Sequence, residues 1–335
     1  MGKRFTLFTG QWVDLPLEEV AELAAGWGYD GLEIAVSGEH LDAWRVDEPG
    51  YVESRLEILQ RHGLGCWTIS NHLTGQAICD DPIDFRHRAI VRDRVWGDGG
   101  AEGVRQRAAE EMKLTARLAG RMGIDTVVGF TGSSIWPYLV MFPPVPAEVI
   151  EAGYQDFADR WHPILDVFDE HGVRFAHEVH PSEIAYDHWS TVRALEAIDH
   201  RPAFGINWDP SHMMWQDLDP VAFISDFADR IYHVDCKDTR LRVGNGRNGR
   251  LSSHLPWGDQ RRGWDFVSTG RGEVPWEDCF RALAAIGYDG PVSVEWEDAG
   301  MDRLHGAREA LEFLRRFDYP APTAAFDAAF SQQSE

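Results

Sequence analysis

Four segments of the sequence combine acidic and imidazole side chains at the ends of apolar runs. They are HEVHP at 177–181, NWDPSH at 207–212, YHVDCKD at 232–238 and VEWED at 294–298. Side chains alternate between the two faces of a strand, and this alternation places Glu178, Asp209, His233 and Glu295 on a common, inward side. Three carboxylates that converge in a confined site repel one another unless a cation neutralises them. The pattern therefore predicts a divalent metal site.

The expected ligand set is rich in oxygen and contains a single imidazole. Such a set suits an octahedral ion, with Mn²⁺ first and Mg²⁺ or Co²⁺ as alternatives, better than tetrahedral zinc, whose usual partners are nitrogen and sulfur. For any one of these residues alone, a structural polar role is the alternative. Four of them at the ends of consecutive strands favour the metal site.

The elements that must position these residues follow from a joint that occurs five times. In each joint an amphipathic segment ends in Gly and an apolar strand follows within a few residues: WGYDGLEIAV, RHGLGCWTIS, RMGIDTVVGF, EHGVRFAHEV and AIGYDGPVSVEW. Glycine suits the left-handed residue that ends a helix, so the pattern predicts helix ends at Gly28, Gly63, Gly123, Gly172 and Gly287. With RFTLFTG, AFGINWD and IYHVDCKD there are eight strands, and their alternation with helices favours a parallel sheet.

The composition of the strand faces decides between an open and a closed sheet. In AFGINWD the residues of one parity are Ala203, Gly205, Asn207 and Asp209, whereas Phe204, Ile206 and Trp208 of the other parity are large and apolar. An open sheet with helices on both faces would need both sets to be apolar. In a (β/α)8 barrel the large set faces the helices, and the inward set is polar near the C-terminal rim, where active sites lie. The sequence therefore predicts an α/β protein with a (β/α)8 TIM barrel and a rim site.

We expect a single barrel over residues 1–318, with rim insertions near 73–100, 132–149 and 239–272, and a C-terminal tail over 319–335. The third insertion is the most basic part of the chain, and it is either a solvated loop or a lid over an anionic or polyhydroxyl substrate. Its end carries Gly270 and Gly272, the one readable candidate for a phosphate cradle, with a simple turn as the alternative. In the tail, Phe326 and Phe330 are candidates for docking on the barrel.

Charge and composition exclude several classes of partner. Lys plus Arg total 32 and Asp plus Glu total 55, so the formal net charge is −23, which disfavours nucleic acid. The longest apolar stretch, 135–145, is broken by three prolines and is too short to span a membrane. The four cysteines are scattered, and the N-terminus has no signal-peptide core, so we expect a cytoplasmic location.

The segments GYDGLEI, HEVHP, NWDPSH, YHVDCKD, GRGEVPW and VEWED, in this order, resemble the sugar phosphate isomerase/epimerase family of xylose-isomerase-like TIM barrels. The resemblance spans roughly residues 4–317. It implies one divalent ion, often Mn²⁺, held by Glu178, Asp209, His233 and Glu295, the residues that strand alternation also selects. It further implies that His212 of the Asp-x-x-His motif contacts substrate.

Other residues of the same parity are candidates for the substrate pocket. Lys237, His72 and His180 point inward and are expected to contact substrate, with ordinary polar packing or a solvated lysine as the alternative. Glu33 in GLEI is expected in the pocket rather than on the metal. Four tryptophans in or near rim loops are candidate stacking platforms for a sugar or a flat aglycone, although most tryptophans belong to cores: Trp12, Trp136, Trp215 and Trp257.

The resemblance implies a metal-dependent isomerase or epimerase of a ketose or oxo-sugar. Glu178 and Glu295 would be the catalytic pair, one removing the proton beside the carbonyl and the other returning it through an enediolate. The alternative is a lyase in which the enolate expels a β substituent, as in inosose dehydratases and the catalytic subunit of C-glycoside deglycosidases acting on 3-oxo-glycosides. An apurinic-endonuclease-like nuclease and a non-catalytic binding module are more remote. A homo-oligomer or a small accessory subunit stays open.

Overall fold

The computed structural model describes residues 2–139, 142–319 and Ala328. Eight parallel strands close into a barrel in the order β1-β10-β7-β6-β5-β4-β3-β2. Their bounds are β1 Arg4–Phe8, β2 Gly31–Ala35, β3 Gly65–Ser70, β4 Thr126–Gly129, β5 Arg174–Glu178, β6 Phe204–Trp208, β7 Ile231–Asp235 and β10 Pro291–Val294. The predicted TIM barrel is confirmed.

The helices surround the barrel and alternate with its strands. They are α1 Leu17–Trp27, α2 Tyr51–His62, α3 His72–Cys79, α4 Phe85–Ile90, α5 Asp93–Trp96, α6 Ala101–Met122, α7 Ala147–Glu170, α8 His188–Ala197, α9 Pro210–Met214, α10 Pro220–Asp226, α11 Trp276–Ala285 and α12 Arg303–Leu314. The predicted glycine joints are confirmed, because the five joint glycines have φ between 65° and 90° where a helix gives way to a strand. Within the described ranges, none of these helices is long and apolar enough to cross a membrane.

The core lies between the strands and the helices, as the apolar parity predicts. Trp161 on α7 packs against Phe175 on β5 with ring centroids 4.4 Å apart, and Phe175 in turn lies 5.7 Å from Phe204 on β6. All three side chains are buried. Burial of such large rings holds the helix layer against the outside of the barrel. The barrel interior is thereby left to the small and polar side chains.

The rim insertions contain more regular structure than the sequence predicts. The segment near 73–100 carries most of α3 together with α4 and α5. The segment 239–272, predicted as a loop, instead contains two short strands, β8 Asp238–Leu241 near its start and β9 Trp264–Val267 near its end. They pair as an antiparallel hairpin. The hairpin follows β7 almost directly, so it stands on the rim beside the polar ends of the last strands. Phe326 and Phe330 lie outside the described residues, and their docking stays a prediction.

Candidate active site

A cavity of about 370 Å³ opens at the C-terminal end of the barrel. Six residues that the sequence selects as site candidates line it: His72, Glu178, His180, His212, Lys237 and Glu295. They come from the ends of β3, β5, β6, β7 and β10, or from the residues that directly follow them. The expected concentration of functional groups at the rim is thus present in the structure.

Three carboxylates meet at the inner end of this cavity, which Glu178 and Glu295 line and Asp209 does not. Glu178 ends β5, Asp209 follows β6, and Glu295 follows β10. One oxygen from each lies within 4.8 Å of the others, and all three residues are buried. Asp209 also caps α9, because its Oδ1 accepts a hydrogen bond of 2.8 Å from the amide of Ser211. We call Glu178, Asp209 and Glu295 the carboxylate triad.

The ammonium of Lys237 lies among the carboxylates of the triad. Its Nζ is 2.7 Å from Glu295 Oε2, 3.1 Å from Asp209 Oδ2 and 3.9 Å from Glu178 Oε1. Burial alone would lower the pKa of Lys237, but the charges of Asp209 and Glu295 outweigh it and raise the pKa well above its usual value. The lysine therefore stays charged and offsets part of the repulsion within the triad.

Two carboxylates of the triad differ in their affinity for protons. Burial would raise the pKa of Glu178, but the Lys237 charge and hydrogen bonds from His212 and His72 hold it well below its usual range. For Glu295, burial and the neighbouring charge of Glu178 raise the pKa well above its usual range, although Lys237 opposes them. The two glutamates therefore lie in different electrostatic surroundings, and such a difference is what separates a base from an acid.

The predicted histidines gather around Glu178. His72 Nε2 lies 2.9 Å from Glu178 Oε2, and His212 Nε2 lies 3.2 Å from Glu178 Oε1 and 3.2 Å from Asp209 Oδ2. The His180 ring is 4.0 Å from the His212 ring, centroid to centroid. His212 sits on the helix that Asp209 caps, so the Asp-x-x-His spacing brings both side chains to the same floor.

The structure places three of the four predicted ligands together in the carboxylate triad and places His233 in a neighbouring group with Glu33 and Asp235. His233 Nε2 is 2.8 Å from Glu33 Oε2, and its Nδ1 is 3.2 Å from Thr68 Oγ1. Burial would lower the pKa of His233, but Glu33 and Asp235 raise it to about 10. The side chain points inward as predicted, but it lies deeper in the barrel than the carboxylate triad. Strand alternation predicts the face on which a side chain lies, not its depth along the barrel axis.

Glu33 also differs from its prediction as a pocket residue. It is fully buried, it accepts a hydrogen bond from the hydroxyl of Ser70, and it pairs with His233. It is absent from the residues that line the cavity. Glu33, His233 and Asp235 therefore form a second acidic and imidazole cluster below the triad.

Asp235 is the residue that the sequence reasoning missed. It ends β7 and is fully buried, and its Oδ2 accepts a hydrogen bond of 2.6 Å from Asn207 Nδ2. Its Oδ1 has no hydrogen-bond partner in the part of the chain that the structure describes. One Asp235 oxygen lies within 4.8 Å of ligand atoms of both Glu178 and His72. The available signal was its position, because it shares the parity of His233 and stands one step nearer the rim.

Asp238, a further buried carboxylate, explains why the segment GRGEVPW is rich in glycine. Asp238 Oδ2 accepts hydrogen bonds from the amides of Gly270 (2.9 Å) and Gly272 (3.2 Å), and from Trp276 Nε1 (3.0 Å). Its Oδ1 accepts from the amide of Val274 at 3.2 Å. The two glycines thus cradle a carboxylate of the protein itself and are not free to hold a phosphate. This contact also anchors the backbone next to Lys237.

Only one of the four rim tryptophans reaches the cavity. Trp257 lines it, whereas Trp12 is completely buried in the core. Trp215 stacks on Trp264 of β9 with ring centroids 4.6 Å apart. Trp136 packs edge-on against Tyr186 at 5.3 Å, away from the carboxylate triad.

Comparisons with known proteins agree with this architecture. The uncharacterised protein YfiH of Bacillus subtilis (strain 168) is 30% identical over 322 residues, which cover 90% of this chain and 95% of YfiH. The structure of the probable 3-DHS dehydratase AsbF of Bacillus anthracis superposes with a TM-score of 0.66 at 18% identity, covering 93% of this chain and 98% of AsbF. The 3-keto-D-glucoside 4-epimerase YcjR of E. coli superposes with a TM-score of 0.64 at 16% identity, covering 94% of this chain and 99% of YcjR.

A sequence model of one family matches residues 21–317, which include every strand of the barrel except β1 and all three members of the carboxylate triad. The coverage, the closed order of the strands and the position of the polar rim all point to the same assignment. This chain belongs to the family of xylose isomerase-like TIM barrels.

Proposed function

We propose that this protein is a divalent-metal-dependent sugar isomerase or epimerase that abstracts a proton next to the carbonyl of a ketose or oxo-sugar. The observation that carries the proposal is geometric: Glu178 and Glu295 are both buried at the end of the barrel, and with Asp209 they bring one oxygen each to within 4.8 Å of one another. Proton removal and return at one carbon need such a pair. The likeness to a 3-keto-D-glucoside 4-epimerase supports this class of substrate.

The donor set of the site fits a hard divalent cation. Within the described residues, three buried carboxylate oxygens accept no well-aligned hydrogen bond, although a histidine or lysine nitrogen lies 3.1 to 3.4 Å from each: Glu178 Oε1, Asp209 Oδ2 and Asp235 Oδ1. We assign the ligands to the carboxylate triad together with Asp235, in place of His233. An all-oxygen set suits Mn²⁺ or Mg²⁺, with Co²⁺ as a weaker alternative.

When bound, a divalent ion would supply Lewis acidity to two neighbouring sugar oxygens, which acidifies the C–H bond beside the carbonyl. One of Glu178 and Glu295 would accept that proton, and the other would deliver a proton to the opposite side of the same carbon, so that the substrate neither gains nor loses a proton overall. Lys237, which already contacts Glu295, holds a substrate oxygen close to the reacting carbon. Confinement of all three groups in one buried floor compensates for the modest basicity of Glu178.

A lyase is the second candidate, and the apolar part of the cavity lining favours it. Phe8, Val13, Phe130 and Phe266 belong to this lining, which suits a substituent less polar than a bare sugar. In this reaction the same base acts, and the enolate expels a β substituent, as expected for a C-glycoside deglycosidase on 3-oxo-glycosides or for an inosose dehydratase. The fold likeness to a probable dehydratase is compatible with it.

The two candidates are separated by incubation with ketoses and 3-oxo-glycosides in D₂O with Mn²⁺. Deuterium at carbon with the substituent retained indicates the epimerase, whereas a released aglycone indicates the lyase. The Glu178→Gln variant should lose about 10²- to 10⁴-fold of either rate, the range that a positioned acid or base supplies. Neither exchange nor release with any carbonyl sugar, or undiminished rates in the variant, would refute the proposal.

A further inference from the structure

The cavity has two chemically different halves. Its floor carries the charged and imidazole groups described above. Six apolar side chains also line the cavity, and we call them the apolar wall: Phe8, Val13, Leu73, Phe130, Trp257 and Phe266. Two large members of this wall, Trp257 and Phe266, come from the same insertion. Phe266 lies on β9, and Trp257 lies in the segment between β8 and β9.

Phe266 and Trp257 connect the floor of the cavity to its more exposed part. The Phe266 ring centroid lies 4.9 Å from Lys237 Nζ and 5.3 Å from the His212 ring. Trp257 stacks on Phe266 with centroids 5.1 Å apart and an interplanar angle of 25°. At the mouth, Trp257 and Leu73 are 54% and 41% exposed, which is unusual for side chains that line a cavity.

Charged contacts hold the indole of Trp257 in place. The guanidinium of Arg262 lies 3.9 Å from its ring centroid, and the same guanidinium is 3.0 Å from Asp265 Oδ1. Arg262 and Asp265 are both buried. The exposed edge of Trp257 is therefore presented to the cavity by a rigid support, which lowers the entropic cost of binding a ring there.

A free monosaccharide is a poor match for this cavity. Its hydroxyl groups surround the ring, and those that face the apolar wall would lose water without gaining a hydrogen-bond partner there. A sugar that carries a flat apolar group matches both halves, because the sugar meets the polar floor and the apolar group covers Trp257 and Leu73. The cavity volume falls within the range of sites that bind such larger ligands.

We propose that Trp257 and Leu73 form a subsite for an aromatic aglycone, so that the substrate is an aryl glycoside of an oxo-sugar rather than a free monosaccharide. This proposal rests on the proposed function only in placing the sugar at the carboxylate floor. The subsite itself follows from the apolar wall and is open to a binding test that needs no reaction.

The test compares 4-nitrophenyl β-D-glucoside with methyl β-D-glucoside by calorimetric titration of the Mn²⁺-supplemented protein. Neither glucoside has a carbonyl, so the proposed proton abstraction cannot consume them. The aryl compound should bind about tenfold more tightly, the effect of burying one side of a ring. Trp257→Ala and Leu73→Ser should each remove most of that preference and leave the methyl compound within about twofold.

Trp189→Ala is the matched control, because Trp189 is 73% exposed on α8 and does not line the cavity. It should keep the full aryl preference. Equal affinity for the two glucosides, no aryl binding at millimolar concentration, or a preference that survives both cavity variants would overturn the subsite. An aryl preference in a protein that exchanges no deuterium with oxo-sugars would instead sustain the subsite and refute the proposed reaction.

Discussion

His233 and Asp235 are two residues apart on β7, so both side chains lie on its inward face. Asp235 stands nearer the rim, and this difference in depth decides which of them reaches the triad. His233 is held by Glu33 and Thr68, whereas Asp235 Oδ1 accepts no well-aligned hydrogen bond among the described residues and has only the His233 ring nitrogen nearby, at 3.4 Å. Asp235→Asn should therefore weaken Mn²⁺ binding by about 10- to 100-fold, a range typical of disturbed metal ligation. The dissociation constant is measured by calorimetry or by the free Mn²⁺ resonance signal.

His233→Gln is the matched control for this prediction. It should destabilise the fold by about 3–5 kcal/mol, because Glu33 would lose the partner of its buried charge, while Mn²⁺ affinity changes little. Denaturant unfolding separates the two effects. A larger loss of Mn²⁺ affinity in His233→Gln than in Asp235→Asn would restore the ligand set that the sequence predicts.

The outcome at these two residues shows what strand alternation can and cannot supply. It correctly points both side chains inward, and it correctly brings Glu178, Asp209 and Glu295 together. It gives no depth along the barrel axis, and depth depends on where each strand ends against its neighbours. The register shift between β6 and β7 near Ile206 is a tertiary feature of this kind, and no local pattern reveals it.

Glu183 lies outside the triad and gives the stability a pH dependence. Burial, together with the charge of Asp80, raises its pKa to about 8 from an ordinary 4.5. Between these values the unfolded chain releases the proton and the folded chain keeps it, so rising pH favours unfolding. This contribution to stability is complete below about pH 4.5 and is lost as pH rises through about 8.

Glu183→Gln should flatten this part of the pH profile. The amide oxygen can still accept the hydrogen bonds that Glu183 receives from the amides of Thr131 and Gly132, at 2.8 and 2.6 Å. The difference in unfolding free energy between variant and parent should grow in favour of the variant from pH 5 to pH 8, the window that the pKa of about 8 sets. Parallel stability profiles for the two proteins would contradict the assignment.

At the scale of elements, the hairpin and its glycine-rich exit fix the backbone on which Lys237 stands. A Cβ added to Gly272 would lie 2.2 Å from Asp238 Oδ1 and 2.5 Å from the Thr239 carbonyl oxygen. Gly272→Ala should therefore displace the Asp238 carboxylate and lower the unfolding free energy by about 1–3 kcal/mol, the cost of strained packing. Thermal or denaturant unfolding measures the loss.

Gly249→Ala is the matched control within the same insertion. A Cβ at Gly249 would meet no atom within 4 Å, so this variant should keep the parent stability. Equal stability of the two alanine variants would mean that the Asp238 cradle does not need a glycine at position 272.

The alternating elements of the barrel were predictable, whereas the hairpin was not. The joint glycines act locally, since each ends a helix by its own left-handed backbone, and a local pattern can reveal them. The strands β8 and β9 are four residues each and are separated by a long polar segment. Their pairing depends on the rim beneath them. The pairing of Thr239 with Phe266 leaves no local pattern in the sequence from which the hairpin could be predicted.

At the scale of the whole molecule, the net charge of −23 and the buried triad both favour the binding of cations. A cation that binds only the folded protein stabilises it by RT ln(1 + [L]/Kd), about 2.7 kcal/mol at a hundredfold excess over Kd. Mn²⁺ should therefore raise the melting temperature of the parent protein, and a chelator should reverse the increase. Homo-oligomerisation, an accessory subunit and a cytoplasmic location stay predictions.

Asp209→Asn distinguishes binding at the triad from general screening of the acidic surface. The variant changes the surface charge of the chain very little, because Asp209 is completely buried, but it removes one oxygen anion from the floor. Its melting temperature should respond to Mn²⁺ only as it does to equal ionic strength of a monovalent salt, since screening depends on ionic strength rather than on a site. If parent and variant gain the same thermal stability from Mn²⁺, the stabilisation arises on the surface and the carboxylate floor is not a metal site.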